Sequence, residues 1–272
     1  MMEMPGSPAC DLSVKSESAY HRGMACTAFP KWRSFLPALL VALVLSVSSQ
    51  TEAGDKLTVV ELYTSQGCSS CPPADDYLGT LAKRPDIIAL SLHVDYWDYI
   101  GWQDPYALPG NTERQRAYAR DLGMGYVYTP QMVIQGMAHT TGSNRDSVER
   151  LIRDLRGAKR LDIAIRQADG GFKIDIPGGT FEDETGRILI AAYDAKHEND
   201  VSRGENSGRT LAHYNVVRDL VEVGSWNGKP VSLTVTEKMV EMAGHDGCAV
   251  LVQSVDSGRI LGAAKIGLTP GT

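Results

Sequence analysis

The feature that most constrains this chain is a cysteine pair followed at once by two prolines, Cys68-Ser69-Ser70-Cys71-Pro72-Pro73. Proline has no backbone N–H and clashes with a preceding helical turn, so consecutive prolines suit only a first helical turn. A helix therefore starts near Ser69 to Pro72. Upstream, Leu57 to Tyr63 is apolar and β-prone, and downstream Tyr77, Leu78, Leu81 and Ala82 recur at helical spacing. The cysteines thus occupy a strand-to-helix junction. A thiol there meets unpaired N–H groups and the positive end of the helix dipole, which favours its thiolate over that of a free cysteine with a pKa of about 8.5. Asp75 and Asp76 complement the same dipole and oppose a thiolate. The spacing also serves metal sites and plain structural bridges.

Further along, Asp86 to Val94 is a nearly continuous apolar run that predicts a strand buried on both faces and, with the first strand and helix, a right-handed βαβ unit. The aromatic stretch His93 to Trp102, followed by Pro105, Pro109 and Gly110, reads as an insertion. Asn111 or Thr112 with Gln115 predicts a helix start, and Gly123 its end. Gln131 to Thr141 predicts a hairpin turning near Gly136, and Ser143 or Asn144 caps a last helix closed by Gly157. From Arg160 onward seven short β-prone runs alternate with turn chemistry such as Asp169-Gly170-Gly171 and Asn227-Gly228, which predicts a β-sandwich.

At the other end of the chain, Lys31 and Arg33 precede a thirteen-residue apolar run, Phe35 to Val47, that ends in small residues. A spanning helix needs roughly 20 apolar residues, so this run reads as a secretory signal cleaved after Ala53, with Met24 as the expected start. Removal of residues 1–53 takes four basic and four acidic side chains and leaves the net charge at −6, which argues against nucleic acid or an anionic membrane surface as a partner. It also leaves three cysteines, Cys68, Cys71 and Cys248, in an oxidising compartment, periplasmic or extracellular, with no membrane span in the mature chain.

Three features together resemble the thioredoxin fold: Cys68-Ser69-Ser70-Cys71 between strand and helix, the order of elements, and Thr129-Pro130 ahead of the third strand. The resemblance covers about Lys56 to Leu155 and implies a cis-proline at Pro130 beside the cysteines. Segments 61–75, 93–98 and 208–218 are also similar to a family of exported bacterial proteins known only as a domain of unknown function. The expected fold class is an α/β thioredoxin-like domain (54–157) followed by an all-β, sandwich-like domain (158–272), after an N-terminal extension and signal (1–53).

The expected function is thiol-disulfide exchange with protein thiols or disulfides, with no organic cofactor. Cys68, nearer the helix start, is the nucleophile and Cys71 the resolving thiol. Pro130 and Thr129 flank the pair. Glu61 is a candidate proton acceptor for Cys71, a role that the resemblance implies for an acidic residue on this strand. His93 and Asp95 lie at the carboxyl edge of the sheet, where open α/β sheets bind ligands. Tyr96, Trp97, Tyr99 and Trp102 could form a peptide-binding lip or seal the insertion onto the core. A four-ligand zinc site would need two more thiols or imidazoles, and no second Cys-x-x-Cys exists, so no metal is assigned. Cys248 alternates with Val250 and Val252 and reads as a buried free thiol, and His197, His213 and His245 as structural. Asn206, Arg209, His213 and Asn215 suggest a hydrogen-bonded turn. Two rivals are a non-catalytic binding protein with an inert bridge and a copper carrier using Cys68, Cys71 and His93.

Overall fold

From the cysteine junction the chain runs β1 (Thr58–Thr64), α1 (Pro72–Leu81), β2 (Ile87–His93), α2 (Pro109–Asp121), β3 (Gln131–Ile134), β4 (Ala138–Thr141) and α3 (Arg145–Leu155). Seven strands follow: β5 (Ala164–Ala168), β6 (Gly171–Ile176), β7 (Gly186–Val201), β8 (Arg209–Trp226), β9 (Val231–Thr236), β10 (Gly247–Ser254) and β11 (Ile260–Gly267). This computed structural model describes residues 57–168, 170–181, 185–236, 239 and 244–268. The signal segment, its cleavage after Ala53 and the start at Met24 lie outside the described residues.

Local chemistry sets the element ends. Helix α1 begins at Pro72 directly after Cys71, and Asn144 caps α3 by accepting the Ser147 N–H at 3.1 Å. Helix α2 starts at Pro109, ahead of Asn111, because proline is pre-organised for a first turn. The Asn111 amide instead donates to the His93 carbonyl at 3.0 Å.

The assembly of these elements overturns the expected fold class. Eight strands form one mixed sheet in the order β11-β10-β7-β8-β2-β1-β3-β4, and β5, β6 and β9 form a small second sheet. β1 pairs in parallel with β2, as a βαβ unit requires, and antiparallel with β3, which forms the expected hairpin with β4. The outer edge of β2, however, is taken by β8, in parallel register at Ser91 and Val216. There is thus no separate thioredoxin-like α/β domain with a free-standing β-sandwich after it. Four strands of the second half extend the sheet of the first.

The cores follow that sheet. One face carries α1 and α3 over Val60, Leu62, Ile87 and Met132. The small sheet covers Ile188, Ile190, Val250 and Val252. The opposite core takes Val59, Tyr63 and Leu90 from the first half together with Leu189, Ala249 and Leu251 from the second, packed with Tyr118 of α2. Burial at about 25 cal/mol per Å² of apolar surface rewards this sharing, because neither half encloses that layer alone. Cys248 is free and buried in the core under the small sheet, and burial pushes its thiol up to about 12.

Candidate functional site

Strand β1 ends at Thr64, and the chain turns through Ser65-Gln66-Gly67 to Cys68. Cys68 and Cys71 are joined as a disulfide with Cα atoms 5.5 Å apart. The sulfur-bearing residues are 1% and 0% exposed, whereas Ser69 and Ser70 between them are exposed. Gly67 has no side chain because Trp97 and Ile100 press on it: an added Cβ would lie 3.1 Å from Trp97 Cβ and 3.2 Å from Ile100 Cδ1. The aromatic insertion is therefore packed against the cysteine loop.

Beneath the loop lies a buried polar cluster drawn from five segments. The Gln66 N–H donates to Asp104 Oδ2 at 2.8 Å, and His93 Nδ1 donates to the same oxygen at 2.7 Å. Burial alone would raise the Asp104 pKa, but the His93 charge and the N–H groups of His93, Gln66 and Tyr106 outweigh it and hold the carboxyl at about 2. Trp102 Nε1 can only donate, so its 3.0 Å bond fixes Gln66 Oε1 and turns the Gln66 amino group toward His213 Nε2 at 3.1 Å. That nitrogen accepts, which leaves the imidazole proton on Nδ1, 3.6 Å from Asp75 Oδ1. This is an ion-pair separation, beyond hydrogen-bond reach. Burial disfavours charge on His213, but Asp75, then Asp104 and Asp76, outweigh it and raise the pKa above the usual imidazole range. A second proton on His213 requires the Gln66 amide to turn over and release Trp102.

Asp75 is 3% exposed, and neither of its carboxylate oxygens has a hydrogen-bond partner among the described residues. It stands four residues after Cys71 on α1, its N–H bonded to the Cys71 carbonyl at 3.1 Å. Residues at i and i+4 share a helix face and lean toward the N-terminus, which directs Asp75 toward the cysteines.

The other candidates divide. The Thr129–Pro130 peptide is cis, Pro130 is buried, and the pairing of Tyr63 with Gln131 sets Pro130 beside the end of β1. Trp97 donates to Thr129 Oγ1 at 2.7 Å and stacks on Tyr99, which is 81% exposed. Tyr96 is half-buried, its hydroxyl pushed up to about 12 by burial. Asp95 is not brought to the cysteines, since Thr112 in the first turn of α2 donates to its carboxylate at 2.6 Å. Nor is Glu61: it faces α2, where Arg114 Nε donates to it at 2.7 Å and the Tyr118 hydroxyl at 2.5 Å. Among the described residues no three His, Cys, Asp or Glu side chains are placed to hold a metal.

Asn206, from the turn between β7 and β8, is fully buried and donates to the Gln66 carbonyl at 2.9 Å and the Cys68 carbonyl at 3.0 Å. Arg209 donates to its Oδ1 at 2.8 Å and so fixes the amide. Asn206 therefore reaches the cysteine loop from a hydrogen-bonded turn, and His213 reaches it from strand β8. Their signal was polarity inside a β pattern, as in Asn206, Arg209 and His213. Asp104 carried no such signal.

Residues 59–253 match the profile of a family described as protein of unknown function (DUF1223). The chain belongs to the DUF1223 family. The matched span contains both cysteines, Asp75, Asp104, Asn206 and His213, so the family's extent covers the junction and the hairpin that closes on it. It also contains the three segments, 61–75, 93–98 and 208–218, that carried the resemblance to a family of unknown function. A crystal structure of a protein from Agrobacterium tumefaciens is 34% identical to this DUF1223 chain, with a TM-score of 0.67, over 77% of this chain and 93% of the other. No curated protein matches it. Among the described residues no helix is long and apolar enough to cross a membrane.

Proposed function

We propose that this DUF1223 chain is an exported protein that exchanges disulfides with partner proteins through Cys68 and Cys71. The observation that carries this reading is the bridge at the mouth of α1 with a buried, hydrogen-bond-free carboxylate, Asp75, one turn behind Cys71. A buried carboxylate without hydrogen bonds costs stability, and sites that retain such a cost are enriched in functional groups. The local likeness of the Cys-Ser-Ser-Cys junction and Thr129-Pro130 to thioredoxins supports the same chemistry.

In the reductive direction the Cys68 thiolate attacks a partner disulfide. The Cys68–partner bond forms, the partner's own S–S bond breaks, and the departing thiolate takes a proton from water. Cys71 then gives its proton to the Asp75–His213 pair and attacks Cys68 Sγ, which closes the bridge and releases the partner with two electrons. Run backward, the same steps oxidise a partner dithiol. No organic cofactor takes part.

A second reading, a binding protein with an inert bridge, is favoured by the burial of both sulfurs. The copper-carrier reading draws no support from the geometry, because the two cysteines are bonded to each other and among the described residues no three His, Cys, Asp or Glu side chains are placed to hold a metal. Equilibration with glutathione buffers separates the first two. Exchange predicts a reduction potential above about −300 mV, and a value well below it, with no thiol reactivity, supports the inert bridge.

A further inference from the structure

Exchange needs an open path to Cys68 Sγ, and the turn that joins β7 and β8 stands across it. Glu205 Oε2 accepts the Ser69 N–H at 3.1 Å, and Asn206 bonds the carbonyls on either side of Gly67. Gly204, in the left-handed region at φ +74°, lies against Ile100 and Trp102, 3.3 Å from each at its would-be Cβ. Farther down the hairpin the Tyr106 hydroxyl donates to Asn199 Oδ1. Of these contacts only the one at Ser69 is made by a charged, exposed side chain.

We propose that the 202–208 turn is a redox-linked lid: Glu205 latches it over the neutral disulfide, and the Cys68 thiolate formed on reduction releases the latch. This rests on the exchange reading, since it regulates the same site. Reduction by a partner dithiol transfers two electrons to the Cys68–Cys71 bond and leaves the partner as a disulfide. Of the two protons delivered, one stays on Cys71 and one goes to water, so that Cys68 carries a negative charge. That charge appears one residue from the Ser69 N–H and beside Ser70 Oγ, 3.3 Å from Cys68 Sγ. The helix N-terminus then has two anions competing for the same donors, and they repel each other. The exposed Glu205 can leave, whereas the buried thiolate cannot. Its hydrogen bonds with Ser69 hold the Glu205 carboxyl below its usual range, so it is charged throughout. Of the other charged groups around the loop, Asp76, Asp104 and Arg209 take no part in the exchange and cannot supply the difference, and the proton that the Asp75–His213 pair trades with Cys71 is not on a donor that Glu205 uses.

Hydrogen exchange of the mature chain at pH 8, with the bridge intact or opened by a phosphine, tests this. Amides 203–209 are expected to exchange at least about fivefold faster in the reduced protein, with the core strands unchanged. In Glu205→Gln the reduced-to-oxidised ratio falls to near one, and Cys68→Ser, which has no thiolate there, keeps the turn protected under the phosphine. Equal exchange of the wild-type turn in both states overturns the proposal, as does a ratio that survives Glu205→Gln. The phosphine opens the bridge whether or not any protein partner does, so loss of this ratio leaves the exchange reading standing. Failure to find exchange with proteins likewise leaves the ratio measurable.

Discussion

At the residue scale, two buried carboxylates fourteen residues apart in the chain, Glu61 and Asp75, have opposite surroundings. Glu61 is satisfied by Arg114 and Tyr118, and Gln253 completes the set by accepting from Arg114 at 2.7 Å. Breaking such a pair strands a buried guanidinium, so Glu61→Gln is expected to cost about 3 kcal/mol in urea unfolding while leaving the rate of bridge reduction by dithiothreitol unchanged. Asp75 faces His213 at 3.6 Å and has no hydrogen bond to its carboxylate among the described residues. Asp75→Asn is expected to keep stability and to slow that reduction by about a hundredfold, the size of a general acid-base contribution. Asp104 makes the pH dependence. Its pKa in the folded chain is about 2 against the ordinary 3.8, so its stabilisation is complete above the ordinary value and is lost as pH falls through the folded one. Between pH 5 and pH 2 the wild type should lose about 2 kcal/mol more than Asp104→Asn does, by urea titration at each pH.

At the element scale, α1 is the piece that both halves hold. Its Gly79 faces β8 so closely that an added Cβ would lie 2.5 Å from ring carbons of Tyr214. Alanine ordinarily improves a helix interior by up to about 1 kcal/mol over glycine, but a clash of this kind costs about 1–3 kcal/mol. Gly79→Ala is therefore expected to destabilise the wild type and to stabilise a Tyr214→Ala background, and a double-mutant cycle in urea reads that change of sign. The elements themselves were largely legible. Two prolines fix the start of α1, and β-prone runs between turn residues locate the strands from β5 to β11. The lengths of β7 and β8 were not, because Lys196-His197-Glu198-Asn199-Asp200 continues β7 through polar residues with no apolar face. That polar extension carries the hairpin out to the cysteines, and with no apolar pattern to mark it, the reach of Asn206 and His213 to the cysteine loop is not legible in the sequence.

At the scale of the whole molecule, sequence periodicity identifies strands but not their neighbours. The joining of β2 to β8 carries one ladder pairing, Ser91 with Val216, helped by the Asn215 amide on the Ala89 carbonyl at 2.8 Å, while Lys265 of β11 ties its own strand to β2 through the Ile87 carbonyl at 2.5 Å. None of these residues advertises a partner more than a hundred positions away. The result is a single sheet whose second half places an asparagine, a histidine and a glutamate against the cysteine loop and helix start of its first half. The central claim, that Cys68 and Cys71 trade bonds with other proteins, is tested most directly by expressing Cys71→Ala in the exported setting and searching for trapped complexes. Mixed disulfides are expected that dithiothreitol releases and that Cys68→Ala/Cys71→Ala does not form. A Cys71→Ala protein that stays free of any disulfide-linked partner contradicts that claim.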